Sequence, residues 1–405
     1  MQCKFSIRKQ IYEFGQMRDI RWLDACIDYI KPRFAISQLL GYFYSVYKIW
    51  FPIQNEDVKM KFFAYMLLTA AGFFAVSQAP GQDVNKQDGY RVVKKEIIGG
   101  EGSWDYLTID TATQRLYIAR ETRVMIVDMN TFKVVREIPG TNGVHGVALV
   151  PEFNRLFTSN GRENKIGIYD LKTLEKIGEA QAGKKPDAII YDPASRRVFA
   201  LNNGGSTATV LDAKAGGVAG DIELGGAPEF AVADGKGHVY VNIEDKDEVV
   251  KIDSVKMTVL NHWPLDPGKT PTGLAMDIEH QRLFSGCRGS KTVEVMDADS
   301  GKILASLPIG AGVDAVAFDP ESQTVFSSNG DGTLTVIHED TPDKFQVIQN
   351  IATQPGARTL ALDAGKHQVW LVTAESKPAT DPQEKRRRVM VPNTFALLVL
   401  SLIHI

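Results

Sequence analysis

Hydrophobic and polar positions alternate in short runs from Tyr90 onward, and the pattern recurs at a nearly fixed interval. Each unit has an alternating or wholly apolar stretch, a turn rich in Asp, Pro, Gly and Asn, and a second short run. Such runs are typical of β-strands joined by tight turns. An anchor residue ends each first run, and successive anchors are 40, 42, 42, 43, 42 and 44 residues apart. The seven anchors are Asp110, Val150, Asp192, Asp234, Asp277, Asp319 and Asp363.

Two further strands complete most units as a hairpin. A carboxylate at the start of its turn can accept a hydrogen bond from the backbone two residues on. Five hairpin turns begin at an Asp, and the sixth unit has His338 there; the five are Asp128, Asp170, Asp212, Asp253 and Asp297. Four strands in a period near 40 residues are typical of propeller blades. We therefore predict an all-β, seven-bladed β-propeller with four-stranded blades.

The sequence also predicts how the propeller closes. The strand near Tyr90 has no unit before it, and the seventh unit has two strands followed by a single third one after Phe395. We expect the N-terminal strand to pair into the last blade.

The segment that begins at Met60 is typical of a secretory signal peptide. Lys61 precedes an apolar run over residues 62–76, and small residues follow. The run is shorter than the roughly 20 residues that span a bilayer, so a cleaved signal is favoured over a membrane anchor. Cleavage after Ser77 is preferred to cleavage after Ala79, because Pro80 would follow the second cut. We expect a periplasmic or secreted protein without stable membrane insertion after cleavage.

These features divide the chain into five parts. Residues 1–59 are interpreted as a non-native or miscalled N-terminal extension, 60–79 as the signal peptide and 80–89 as a linker. Residues 90–400 are the predicted propeller. Residues 401–405 are a candidate artefactual tail that could equally extend the last apolar strand.

Charge and cysteine content limit the partners and cross-links. Residues 60–405 carry 37 Lys and Arg against 43 Asp and Glu, so this part is mildly acidic. An acidic surface repels phosphate backbones, and no nucleic acid partner is expected. Two of the three cysteines precede the signal segment, which leaves Cys287 without an intrachain disulfide partner.

The repeat units resemble YVTN-type β-propeller repeats, as in YncE-like proteins of bacterial envelopes. The resemblance rests on PDAIIYDPASRRVFALNN with VLDAKAGG, on PTGLAMDIEHQRLFSGC with VEVMDADSGKILASLPIG, and on VDAVAFDP. It covers nearly everything from Tyr90 to Leu400. It implies the propeller fold and a role that is mostly non-enzymatic, but repeat families are poorly specific for function.

In a propeller the first strands line the central channel, and their starts share one face with the ends of the second strands. We call the opening at this face the channel mouth. The first-strand starts are Asp105, His145, Asp187, Glu229, Thr272, Asp314 and Arg358. The second-strand ends include the amides Asn160, Asn203, Asn242 and Asn329. All eleven are predicted ligand-binding residues, since a polar concave opening is the default site.

The carboxylates Asp105, Asp187, Glu229 and Asp314 could hold a divalent cation through their oxygens. The alternative is that they are solvated, cap turns or pair with Arg358. His145 could serve as acid, base or ligand near neutral pH. Cys287 could be a nucleophile at the rim, although an inert thiol is favoured. His262, His280 and His367 are predicted to be surface residues away from the mouth.

The sequence contains no Cys-x-x-Cys-His, P-loop, Gly-x-Ser-x-Gly or His-Glu-x-x-His motif. The favoured hypothesis is a non-catalytic scaffold that binds a small molecule, peptide or envelope protein at the mouth, with no cofactor indicated. The alternative is a lactonase-like hydrolase at the same mouth, metal-dependent or metal-free. A redox propeller with a haem or quinone cofactor is a weaker third idea.

Overall fold

The computed structural model describes residues 89–378 and 388–403, which form antiparallel β-sheets. The predicted extension, the signal peptide and most of the linker lie outside the described residues. Helical structure within these ranges is limited to two single turns, η1 (Pro151–Phe153) and η2 (Ala364–Lys366). No helix in this part of the chain is long and apolar enough to cross a membrane.

Within residues 89–378 and 388–403, six sheets form the blades, one with six strands and five with four strands. The six-stranded sheet contains β2 (Leu107–Asp110), β3 (Arg115–Asp128), β4 (Val134–Val150), β5 (Arg155–Asn160), β6 (Lys165–Asp170) and β7 (Lys176–Gln181). The next two sheets contain β8 (Pro186–Asp192), β9 (Arg197–Asn202), β10 (Thr207–Asp212) and β11 (Val218–Glu223), then β12 (Pro228–Ala233), β13 (His238–Ile243), β14 (Glu248–Asp253) and β15 (Thr258–Pro264). Two more contain β16 (Pro271–Asp277), β17 (Arg282–Cys287), β18 (Thr292–Asp297) and β19 (Ile303–Pro308), then β20 (Val313–Asp319), β21 (Thr324–Asn329), β22 (Thr333–Thr341) and β23 (Lys344–Ala352).

The prediction of seven four-stranded blades is wrong, because the structure has six blades. The first two repeat units lie in a single six-stranded sheet. β3 contains the second and third strands that the repeat predicts for the first unit, and β4 contains the fourth strand of that unit and the first strand of the next one. Glu121 of β3 pairs with Val144 of β4 at the point where the two units meet. Glu121 and Gly143 have positive φ angles of 52° and 68°, which bend the chain without ending its pairing.

The last blade closes as predicted. It contains β24 (Leu360–Asp363), β25 (Gln368–Thr373), β28 (Ala396–Ile403) and the N-terminal β1 (Gly89–Ile97). β1 pairs antiparallel with β28, from Gly89 opposite Ile403 to Ile97 opposite Ala396. Residues 401–403 of the candidate tail continue β28. A short two-stranded sheet, β26 (Ser376–Pro378) with β27 (Arg388–Met390), precedes this strand.

One aromatic residue from each repeat unit is buried in the hydrophobic core. It is the third residue of the second strand, where the alternation of the strand directs a large apolar side chain into the core. The seven residues are Tyr117, Phe157, Phe199, Tyr240, Phe284, Phe326 and Trp370, and each is at most 2% exposed. Their packing fixes the inner strands, and with them the positions from which the mouth residues project.

Aspartates shape the opposite face, which carries the ends of the first and third strands and which we call the turn face. Asp170 Oδ1 accepts hydrogen bonds from the backbone N–H groups of Lys172 and Thr173, both at 2.9 Å. The other four predicted hairpin aspartates bond the residue two positions on in the same way. The predicted turn chemistry is thus confirmed.

Candidate binding site at the channel mouth

The starts of the first strands converge at the channel mouth, where side-chain contacts and, between Glu229 and Glu244, an electrostatic interaction link the seven repeat units. In the order of these contacts, the residues are Asp105, His145, Asp187, Lys185, Asn203, Glu229, Glu244, Arg288, Asp314 and Arg358. We call these ten residues the mouth set. It includes seven of the eleven predicted ligand-binding residues.

Asp105, His145 and Asp187 form the first part of the mouth set. His145 Nδ1 lies 2.5 Å from Asp105 Oδ2 and 3.5 Å from Asp187 Oδ1. Burial lowers the pKa of His145, but the hydrogen bond with Asp105 and the charge of Asp187 outweigh it, and the net pKa is raised. The imidazole therefore carries a proton more readily than a free histidine does.

Asp187 and Glu229 are carboxylates with few cationic neighbours. Burial raises the pKa of Asp187, which is 5% exposed, and His145 only partly opposes the shift. Asn203 Nδ2 donates to Glu229 Oε1 at 3.2 Å. Burial, followed by the charges of Asp187 and Glu244, raises the pKa of Glu229 strongly. Lys185, whose Nζ lies 3.8 Å from Asp187 Oδ2, is half exposed.

Asp314 has the opposite surroundings. Arg288 Nη2 bonds to its Oδ1, and Arg358 Nε lies 3.1 Å from its Oδ2. Arg288 also lies 3.5 Å from Glu244 and donates to a backbone carbonyl. Burial raises the pKa of Asp314, and the two guanidinium groups oppose this shift. The mouth set therefore has an acidic half, from Asp105 to Glu244, and a paired half, from Arg288 to Arg358.

Tyr106 forms the floor of the mouth. It follows Asp105 in the first unit, is 8% exposed, and reaches across the channel to donate to Glu229 Oε2 at 3.4 Å. Its ring packs edge-on against Phe230, with centroids 5.1 Å apart. Burial, then the charges of Asp187 and Glu229, raises its pKa well above the ordinary value, so the phenol remains a hydrogen-bond donor.

Four predicted ligand-binding residues are buried inside the fold, and three of them bond other protein groups. Thr272 donates to two backbone carbonyls at 3.0 and 3.2 Å, and Asn242 donates to two others at 2.9 and 3.1 Å. Asn329 donates to two threonine hydroxyls, both at 3.1 Å. Asn160 is 3% exposed, and its side-chain oxygen has no hydrogen-bond partner in the described part of the chain.

Sequence reasoning missed Glu244, Arg288, Lys185 and Tyr106. β9, β13 and β17 end at Asn202, Ile243 and Cys287, and the next residue in each case belongs to the mouth set. Reading one residue past the end of the second strand would have found Glu244 and Arg288. No comparable repeat signal marks Lys185, which lies in a loop before β8 with a φ of 52°.

A cavity of about 340 Å³ lies beside Asp105 and His145. Trp104, Glu121, Arg162 and Lys185 also line it, and Arg162 is bonded to Glu121 at 2.7 Å. The buried indole Nε1 of Trp104 has no hydrogen-bond partner among the described residues. An aromatic wall beside carboxylates is suited to a cationic group, which the ring face and the anions both attract. A metal ion could be held at the edge of this cavity, since Asp105, His145 and Asp187 offer ligand atoms within 4.8 Å of one another and the first two line the cavity.

The other predicted metal ligands are not part of that group. Glu229 and Asp314 have the separate partners described above. Cys287 is 0% exposed, and burial followed by the charge of Glu294 raises the pKa of its thiol to about 12. Such a thiol lacks the electropositive surroundings that activate a nucleophile. His262, His280 and His367 are away from the mouth, and all three bond carboxylates.

No family model and no curated protein matches this sequence. Among solved structures, the chain is similar to the WD40 repeats of RRP9, with 9% identity, a TM-score of 0.64, and coverage of 78% of this chain and 100% of that one. It is also similar to a chain of a mitotic checkpoint complex, with 13% identity, a TM-score of 0.63, and coverage of 79% and 94%. At these identities the similarity shows the fold, which is a WD40-like β-propeller, and the YVTN resemblance has no matching family model.

Proposed function

We propose that this protein is a non-catalytic binding propeller that holds a cationic group of a small ligand or partner segment at the acidic half of its mouth. The observation that carries the proposal is the burial of two neighbouring carboxyl groups with little positive charge beside them: Glu229 has no ion pair among the described residues, and Asp187 has only the longer contacts with His145 and Lys185. A buried carboxylate without a cation is costly, and an incoming ammonium or guanidinium would relieve that cost.

Three features support a cationic guest over an anionic one. Among the described residues, the acidic half has four carboxylates, Asp105, Asp187, Glu229 and Glu244, against one ammonium group, Lys185, and one imidazole, His145. Trp104 provides an aromatic wall, and the Tyr106 hydroxyl bonds Glu229 from across the channel. Such surroundings suit the side chain of a partner or a small amine. WD40-like propellers serve widely as scaffolds for partners, and this fold is compatible with that role.

Calorimetric titration with agmatine, which carries a guanidinium and an ammonium, tests the proposal. We expect Glu229→Gln and Asp187→Asn each to weaken binding by about tenfold or more, since each removes a charge-assisted contact. Glu175→Gln is the matched control, because it removes an exposed carboxylate on the turn face. Equal binding of agmatine and of a tetra-glutamate peptide, or unchanged binding in both mouth variants, would contradict the proposal.

A second candidate function is hydrolysis at the same mouth, as in propeller lactonases. The 2.5 Å contact between His145 and Asp105 favours it, because a carboxylate-oriented imidazole is the usual form of a general base. Asp187 completes a set of groups that could also hold a metal ion. Elemental analysis after exhaustive dialysis, combined with a lactone turnover assay, separates the two functions. Neither bound metal nor turnover would remove the hydrolase, and Asp187→Ala should abolish any metal held at the mouth.

We also propose that the protein is a YncE-like propeller of the periplasm or the medium. The support is the signal-like segment over residues 60–79 and the repeat motifs quoted above, and the segment lies outside the described residues. N-terminal sequencing of the purified mature protein tests it. We expect Gln78 as the first residue, and an intact Met60 segment in a cytoplasmic fraction would contradict the proposal.

A further inference from the structure

A second group of carboxylates and an imidazole lies on the turn face. Asp277 ends β16, His280 follows in the turn, and Glu339 comes from β22 of the next repeat unit. His280 Nδ1 lies 2.5 Å from Asp277 Oδ2 and 3.8 Å from Glu339 Oε1. One ligand atom from each residue lies within 4.8 Å of those of the other two.

Glu339 is the member whose presence the fold does not explain. Its side chain is 0% exposed, and neither carboxylate oxygen has a hydrogen-bond partner in the described part of the chain. Buried carboxylates normally pair with charges, accept hydrogen bonds or coordinate metals. The nearby guanidinium of Arg282 is already bonded to Asp297 and Asp343. Burial, then the charge of Asp277, raises the pKa of Glu339 to about 7, so its charge is poorly compensated.

The repeat units supply an internal comparison for Glu339. The residue that follows the hairpin-turn position is buried or partly buried in each unit, and only the sixth has a carboxylate there. The other units with this hairpin have Met129, Leu171, Ala213, Ser254 and Ala298. Packing at this position is therefore satisfied by small or apolar side chains.

His280 also departs from the repeat. Three anchors, Asp110, Asp192 and Asp319, accept a hydrogen bond from the hydroxyl of a Thr or Ser three residues later. His280 takes that place in the fifth unit, and its ring nitrogen makes the equivalent contact with Asp277. A hydroxyl would cap the turn as well, so the fold requires neither His280 nor Glu339.

We propose that Asp277, His280 and Glu339 form a binding site for a divalent transition-metal ion of the Zn²⁺ class, with His280 coordinating through Nδ1. Two carboxylates balance the charge of the ion, and an imidazole favours a transition metal over Ca²⁺ or Mg²⁺. Zinc bonds nitrogen and oxygen ligands at about 2.0–2.2 Å. His280 and Asp277 must therefore separate slightly from their present contact, while Glu339 moves closer. Three protein ligands leave a fourth position for water or another ligand.

An ion can reach this group from the surface. Asp277 lines a cavity of about 360 Å³, together with Lys236, Met276, Ile278 and Phe318. The side chain of His280 is about one-third exposed, so the group is only partly covered. The site lies on the opposite face from the mouth, and its occupancy is therefore independent of the function proposed there.

Calorimetric titration of the metal-free full chain with ZnCl₂, together with Co²⁺ absorption spectra, tests this site. We expect one ion to bind here, and Glu339→Ala or His280→Ser to weaken Zn²⁺ binding by about 100-fold, since each removes a direct ligand. Asp187→Asn should leave this binding unchanged, which separates it from any metal at the mouth. The matched control is His367→Ser. His367 bonds the anchor Asp319 at 2.6 Å, as His280 bonds Asp277, but the second carboxylate near it, Glu321, is 77% exposed and therefore solvated. This variant should leave Zn²⁺ binding unchanged.

Thermal melts without metal complete the test. Alanine is native at the equivalent position in two units, so Glu339→Ala should melt at or above the wild-type temperature. A clear fall in melting temperature would assign Glu339 to packing and overturn the proposal. Undetectable Zn²⁺ binding, equal affinity in the variants, loss of binding with Asp187→Asn, or binding of Ca²⁺ or Mg²⁺ but not Zn²⁺ would also overturn it.

Discussion

Glu229 and Asp314 occupy the same position of their repeat units, five residues before the anchor, yet the two halves of the mouth surround them differently. Asp314 bonds two guanidinium groups, from Arg288 and Arg358. Glu229 has an amide, a phenol and a second carboxylate around it. The paired half is internally neutralised, whereas the acidic half is not. A repeat position therefore determines where a side chain lies, and the neighbouring units determine whether its charge stabilises the fold.

The largest expected effect concerns Tyr106, the floor beneath the acidic half. Tyr106→Ala removes a buried ring that packs on Phe230, and we expect a loss of about 3–5 kcal/mol in the free energy of unfolding. Urea denaturation measures it. Tyr106→Phe, which keeps the ring and removes the hydroxyl bonded to Glu229, should cost no more than about 1.5 kcal/mol. Equal losses in the two variants would show that the hydroxyl, and not the ring, carries the contribution of Tyr106.

The position of the mouth could be predicted because the repeat fixes it. The alternation of the strands and the spacing of the anchors place seven residues at the first-strand starts, and six of them belong to the mouth set. Thr272 is the exception, because it faces backbone carbonyls. The direction in which a side chain points at the end of a strand depends on the local twist of that strand, and the spacing of the repeat does not specify this twist.

The charge pattern of the mouth and the number of blades could not be predicted in this way. Arg288 meets Asp314, and Tyr106 meets Glu229, through contacts between separate units that no spacing rule links. The joined first sheet depends on Glu121 and Val144 continuing the pairing through a bend, where the repeat led us to expect two separate strands. The closing strand was predictable, because an unpaired strand at one end matched a missing strand at the other.

In the paired half, Asp314→Asn should destabilise the protein by about 1.5–3 kcal/mol, the usual contribution of hydrogen bonds to charged groups. The amide places donor hydrogens against one of the two guanidinium groups that the carboxylate now bonds. Burial raises the pKa of Asp314, so part of the protein can carry a protonated carboxyl group here. That group can still lose its proton and accept from both guanidinium groups, whereas the NH₂ group of Asn cannot accept a hydrogen bond. Equilibrium denaturation measures the change. A neutral or stabilising result would mean that the paired half is not held by these contacts.

In the acidic half, Glu229→Gln should have the opposite sign. A carboxyl whose folded-state pKa is raised binds protons more tightly in the folded state, so wild-type stability falls as pH rises from about 4.5 through the folded-state pKa. The variant lacks this dependence. At pH 8 we expect it to be more stable than wild type, and at pH 5 this difference should be much smaller. Denaturation at pH 5 and pH 8 checks this, and parallel pH profiles for the two proteins would contradict it.

The smallest effect is expected for Arg358→Gln, which tests how far the paired half depends on its exposed member. The Arg358 side chain is 44% exposed and bonds Asp314 at 3.1 Å, whereas Arg288 also bonds a backbone carbonyl and Glu244. Exposed ion pairs contribute about 0.2–1 kcal/mol, so the variant should lose no more than that. A double-mutant cycle with Asp314→Asn measures the coupling between the two residues. Coupling above about 2 kcal/mol would show that Arg358 stabilises Asp314 as strongly as a buried partner does. The ion pairs of the paired half would then extend to the seventh repeat unit.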